Sequence, residues 1–69
     1  MNDVEFEKLK EVLRGHGFTL DRVEKHKRFD RVRVRDRYGT YDIRLLGKLS
    51  ELSLEAVVGF LEGKLGWKT

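Results

Sequence analysis

The sequence predicts an α+β fold: a two-layer α-β-β-β-α domain with a three-stranded antiparallel meander and both helices on one face. Three observations predict it. Apolar residues recur at helical spacing near both ends of the chain. Between those ends they alternate with polar residues over three short runs. The connections between the runs are short, which suits antiparallel neighbours. A sheet with one apolar side needs cover, and the two amphipathic helices are the available cover.

The first helix opens at Asn2 or Asp3, either of which can cap it, and Glu5 and Glu7 complement its positive end. Phe6, Leu9, Val12 and Leu13 form its apolar stripe. Gly15 stands where a left-handed helix terminus favours glycine, and Gly17 keeps the following turn permissive. Phe18 and Leu20 begin the first strand, and Val23 breaks the alternation, which predicts a bulge or a strand end near Arg22. Lys25-His26-Lys27-Arg28 reads as a loop.

The second strand gives the cleanest signal. Val32 and Val34 alternate with Arg31, Arg33 and Arg35, so one side is apolar and the other cationic. Asp36-Arg37-Tyr38-Gly39 forms a tight turn, and Tyr41, Ile43 and Leu45 supply the next inward face. Ser50 or Ser53 caps the last helix, whose buried stripe is Leu54, Val57, Val58, Leu61 and Leu65. Gly66 closes that helix and Trp67 folds back over its last turn. Gly59 and Gly63 imply either a close backbone approach or a weakly specified face.

Sixty-nine residues form one domain, residues 1–69, with a small core. No cysteine is present, which excludes disulfides and thiolate metal sites, and two separated histidines do not form a metal site. No cofactor-binding motif, phosphate loop or nucleophile elbow occurs. No leader-like segment or membrane-spanning run is visible, so the expectation is a cytoplasmic protein without a membrane partner.

Charge is the feature that points to function. Residues 15–37 hold eight basic and four acidic side chains, net +4. Residues 1–14 carry −1 and residues 38–69 are neutral, so the whole excess of +3 lies in that one stretch. Clustered positive charge is the footprint of a polyanion partner. Alternate residues on a strand lie about 6.5–7 Å apart, so Arg31, Arg33 and Arg35 can follow successive phosphates. Phe29 shares their parity and can stack a base. Against this, an exposed sheet face must be polar, and Asp21, Asp30 or Asp42 could neutralise the row. Lys25, His26, Lys27 and Arg28 form a second cationic group, which is otherwise an ordinary solvated hairpin loop. His26 could also transfer protons in RNA cleavage, with Lys27 or Arg28 stabilising charge on phosphorus. His16, between two glycines, reads as a turn residue. Phe60 lies off the helical stripe, where it either fills the edge of the core or marks a self-association patch.

The element order, and the stretch His26-Lys27-Arg28-Phe29-Asp30-Arg31-Val32-Arg33-Val34, resemble the double-stranded-RNA-binding domain. That family is built as a helix, a three-stranded antiparallel sheet and a second helix, and it reads A-form geometry partly through this loop. The resemblance implies RNA contacts at His26, Lys27 and Arg28; Lys48 is the one cation near the start of the second helix. The chain is also similar to small HicA-type toxins, which cleave messenger RNA. Gly17-Phe18, Arg22 and His26 match their opening strand and active histidine, with Glu24-Lys25 standing where that family has Gly-Ser.

The expectation is therefore a non-catalytic nucleic-acid-binding domain, RNA favoured over DNA, of low sequence specificity. Its expected contacts are Lys25, His26, Lys27, Arg28, Arg31, Arg33, Arg35 and Lys48. The alternatives are a HicA-like endoribonuclease using His26 and a small self-associating interaction module; on any of the three readings a homodimer is possible.

Overall fold

The computed structural model describes residues 1–67. Helix α1 (Asp3–Gly15) is followed by strands β1 (Thr19–Lys25), β2 (Asp30–Asp36) and β3 (Gly39–Arg44), then by helix α2 (Leu54–Leu65). The strands form one antiparallel sheet in the order β1-β2-β3. This is the α+β meander that the alternation predicts.

Of the two candidate caps for α1, Asn2 is the one used. Its side chain accepts the Glu5 N–H at 2.9 Å, and the Glu5 carboxylate accepts the Asn2 N–H at 3.1 Å. Two orphan amides are satisfied reciprocally, as in a capping box. At the other end the expectation needs correction. Gly15 stays helical, and the left-handed residue is Gly17, with φ +87°. The Phe18 N–H reaches the Leu13 carbonyl at 2.8 Å and the Gly17 N–H reaches Arg14 at 3.0 Å. That pair of bonds is a Schellman closure, which puts glycine one position after the cap residue His16. Leu13 and Phe18, the two residues it brings together, are both buried.

Leu20 opposes Val34 and Arg22 opposes Arg33, so Asp21 is the extra residue of a β-bulge. The bulge resolves the broken alternation. It lets Leu20 and Val23 both turn inward although they are three apart, and it leaves Asp21 and Arg22 on the outer face. Lys25, expected in the loop, instead ends β1 and pairs with Asp30, so the connection is His26–Phe29. It is closed by a bond from the His26 N–H to the Phe29 carbonyl at 3.0 Å. At the second hairpin Asp36 pairs with Gly39, and the Asp36 carboxylate accepts the N–H groups of Tyr38 and Gly39.

Ser53, not Ser50, caps α2, its hydroxyl accepting the Ala56 N–H at 3.1 Å. Gly66 ends the helix in the left-handed conformation, φ +75°. Trp67 then folds back, stacking on His16 with ring centroids 4.7 Å apart and tilting against Phe18 at 5.6 Å.

Leu9 and Leu13 from α1, Val32 and Val34 from β2, and Val57 and Leu61 from α2 belong to one buried cluster. Both helices therefore cover the same side of the sheet. Each such side chain contributes about 1.5–3 kcal/mol by leaving water. Phe60 packs at the edge of this cluster. Among the described residues a Cβ added at Gly59 or Gly63 would meet nothing within 4 Å, so no close approach there explains those glycines. Among the described residues no helix is long and apolar enough to cross a membrane.

Candidate nucleic-acid interface

The outer face of the sheet carries the arginine row. Arg31, Arg33 and Arg35 alternate with the buried Val32 and Val34, so the strand period holds all three on the side away from the helices. Register sets their neighbours. On β3 they face Arg44, Asp42 and Thr40, and on β1 they face Glu24, Arg22 and Thr19.

The three arginines are not equivalent. Arg33 grips Asp42 through two bonds, Nε to Oδ1 at 2.9 Å and a second at 3.3 Å. Arg35 grips Asp21 in the same two-pronged way, at 3.0 and 3.1 Å. The hydrogen bonds from Arg33 and Arg35 hold the Asp42 and Asp21 carboxyls below the ordinary aspartate range, and the arginines rise in return. Of the three acids able to neutralise the row, Asp42 and Asp21 do so. Asp30 shares the inward parity of Val32 and Val34 and is 2% exposed.

Arg31 lies directly opposite Arg44, and neither forms an ion pair among the described residues. Glu24, which faces Arg31 from β1, is engaged by Arg22 at 3.2 Å and by His26 at 2.8 Å. Like charges directly opposite each other in a sheet are destabilising. The row thus ends in an uncompensated cationic pair at the end of the sheet that carries the His26–Phe29 loop.

Phe29 is a centre of contact within that loop. The His26 ring stacks on it at 4.6 Å and the Arg44 guanidinium lies 4.2 Å from its centroid. Phe29, which by its parity could stack a base, has its ring engaged by side chains of its own chain. Lys27 and Arg28 are exposed; Lys25, at the end of β1, is exposed too but pairs with the buried Asp30, so the strand period places it on the helix-covered side, away from the arginine row.

Lys48 takes a different position from the one its charge suggests. Its ammonium bonds Asp30 Oδ1 at 2.9 Å and the His26 carbonyl, and it is only a quarter exposed. The other Asp30 oxygen accepts the Leu49 N–H at 2.8 Å. Burial by itself would raise the Asp30 pKa. The Lys48 hydrogen bond, the Leu49 amide and the charges of Lys48 and Lys25 outweigh it and hold the carboxyl below its ordinary range. Lys48 therefore fixes the cationic loop from behind, a role that sequence spacing does not reveal.

Two further cations were not among the expected contacts. Arg44 and Lys64 line one groove with Arg28, Phe29, Leu46 and Phe60. Arg44 belongs to the outer face by register, and Lys64 arrives from the last turn of α2. Among the described residues no three acids or histidines are grouped to hold a metal ion. Comparison with protein families, curated proteins and solved structures returned no match.

Proposed function

We propose that this protein binds nucleic acid, RNA in preference to DNA, without catalysing a reaction on it and with low sequence specificity. The observation that carries the reading is the Arg31–Arg44 pair. The two arginines occupy directly opposed positions on the open sheet surface, and among the described residues neither forms an ion pair. A phosphate placed between them converts a repulsion into two charge-assisted hydrogen bonds. Lys27 and Arg28 extend the same end of the sheet, while Lys25 lies on the inward parity with Asp30 and is left out; Arg33 and Arg35 are half-exposed and can exchange their carboxylates for phosphates. Lys48 is engaged with Asp30 and is left out of this set. The preference for RNA rests on the likeness of element order and loop to the double-stranded-RNA-binding domain. Low specificity follows from guanidinium contacts to the backbone, which carry no sequence information directly.

An NMR titration with duplex RNA, duplex DNA and a single strand tests the reading. Shifts at Lys27, Arg28, Arg31 and Arg44 that are larger with RNA are expected. No shift with any of the three overturns it.

A second reading is an endoribonuclease using His26. Its support is the 2.8 Å bond between His26 Nε2 and Glu24 Oε1, which orients the imidazole beside the cationic loop. On that reading the wild type cleaves RNA, and His26→Ala binds without cleaving. A wild type inert toward RNA removes it.

A further inference from the structure

Around the β3 end of the arginine face lies a groove of about 500 Å³, which Arg28, Phe29, Arg44, Leu46, Phe60 and Lys64 help to line. Among the described residues none that lines it is acidic. Leu46 is 81% exposed, and Phe60 is partly exposed with the Lys64 ammonium 5.4 Å from its ring centroid. The volume falls in the range of sites for small organic ligands. Its chemistry is double: three cations for an anion, and apolar surface for a flat, uncharged body.

We infer that the groove seats an unpaired nucleotide of a single strand, its phosphate held by Arg28, Arg44 and Lys64 and its base laid against Leu46 and Phe60. The inference rests on the nucleic-acid reading above and narrows it to a strand form. A duplex presents phosphates and sugars outward and keeps its bases stacked inside. It can satisfy the cations of the groove but offers nothing to Leu46. An unpaired base offers an apolar face, and such stacking tolerates any sequence. The groove is also continuous with the Arg31–Arg44 pair, because Arg44 belongs to both. A strand crossing the sheet can thus place one phosphate between the two arginines and its next nucleotide in the groove.

The test measures fluorescence anisotropy with a labelled short oligouridylate, a labelled RNA duplex of about 16 base pairs, and a labelled acidic peptide containing phenylalanine. The proteins are the full chain, Lys64→Glu, Leu46→Glu and Arg31→Glu. Both groove positions are exposed, and matched thermal melts confirm folding. The expected result is tighter binding of the strand than of the duplex. Lys64→Glu should weaken the strand about tenfold, as reversal of one phosphate contact does. Leu46→Glu should weaken it about three- to tenfold, with little change for the duplex. If Arg31→Glu weakens strand and duplex alike while both groove variants bind the strand normally, the nucleic-acid reading stands and the groove proposal falls. If only the peptide binds, a protein partner occupies the groove and both fall. If nothing binds, both fall as well.

Discussion

Asp30 and Lys48 form an ion pair at 2.9 Å across eighteen positions of sequence, with the carboxylate buried and the ammonium tied also to the His26 carbonyl. The pair links the start of β2, the cationic loop and the segment leading to α2. Removing one partner leaves the other poorly solvated. Lys48→Met or Asp30→Asn should lower stability by about 2–3 kcal/mol. Urea unfolding checks it, and the loop amides of residues 26–29 should lose exchange protection first.

The same pair gives a sign for acid. The Asp30 pKa is depressed in the folded state, so its stabilisation is complete above the unfolded carboxyl pKa of about 3.9. Stability should then fall as pH drops below about 4 and through the lower folded value. Asp21 and Asp42, also depressed, act in the same direction. A series of thermal melts between neutral pH and pH 3 should show this loss for the wild type, and a smaller one for Asp30→Asn.

Arg31 is a position where fold and proposed function oppose each other. Its replacement by threonine removes the clash with Arg44 and installs a strand-favouring residue. Arg31→Thr should melt about 2 °C higher than the wild type and bind RNA more weakly. A variant both less stable and equally retentive would show that Arg31 serves the sheet alone.

Asp42 provides the converse. It occupies Arg33 with two hydrogen bonds on the outer face. Asp42→Asn frees that guanidinium and removes a negative charge, so RNA affinity should rise about three- to tenfold in anisotropy measurements. The mirror change at Asp21 should act alike through Arg35.

Gly59 and Gly63 face open space in α2. Gly59→Ala and Gly63→Ala should each stabilise the helix by about 1 kcal/mol in urea unfolding. A loss of stability, or a changed sedimentation profile, would mean that a second copy packs on these positions.

Much of the fold is legible in the sequence because its signals are local. The alternation of Val32 and Val34 with arginines fixes the two-faced strand, and the misplaced Val23 announces the bulge at Asp21. The cap positions are less determinate. Gly15 and Gly17 are chemically identical candidates, and only the closure between Leu13 and Phe18 decides between them. Ser50 and Ser53 differ only in where the helix begins. The site is legible to a lesser degree. Parity places Arg31, Arg33 and Arg35 on one face, but which of them is neutralised depends on register with Asp42 and Asp21. The burial of Asp30, and with it the fate of Lys48, depends on tertiary packing that no local pattern encodes. The same holds for Lys64, which joins the groove through the placement of α2 against the sheet.

The most direct measurement is RNA affinity of the wild type and of the Arg31→Glu/Arg44→Glu double variant at low and moderate salt. The wild type should bind a single strand about 20- to 50-fold more weakly at 200 mM than at 50 mM salt if three or four phosphates are neutralised. The double variant should lose at least about tenfold in affinity at low salt and show a shallower salt dependence. Equal affinity and equal salt slope in the two proteins would contradict the account.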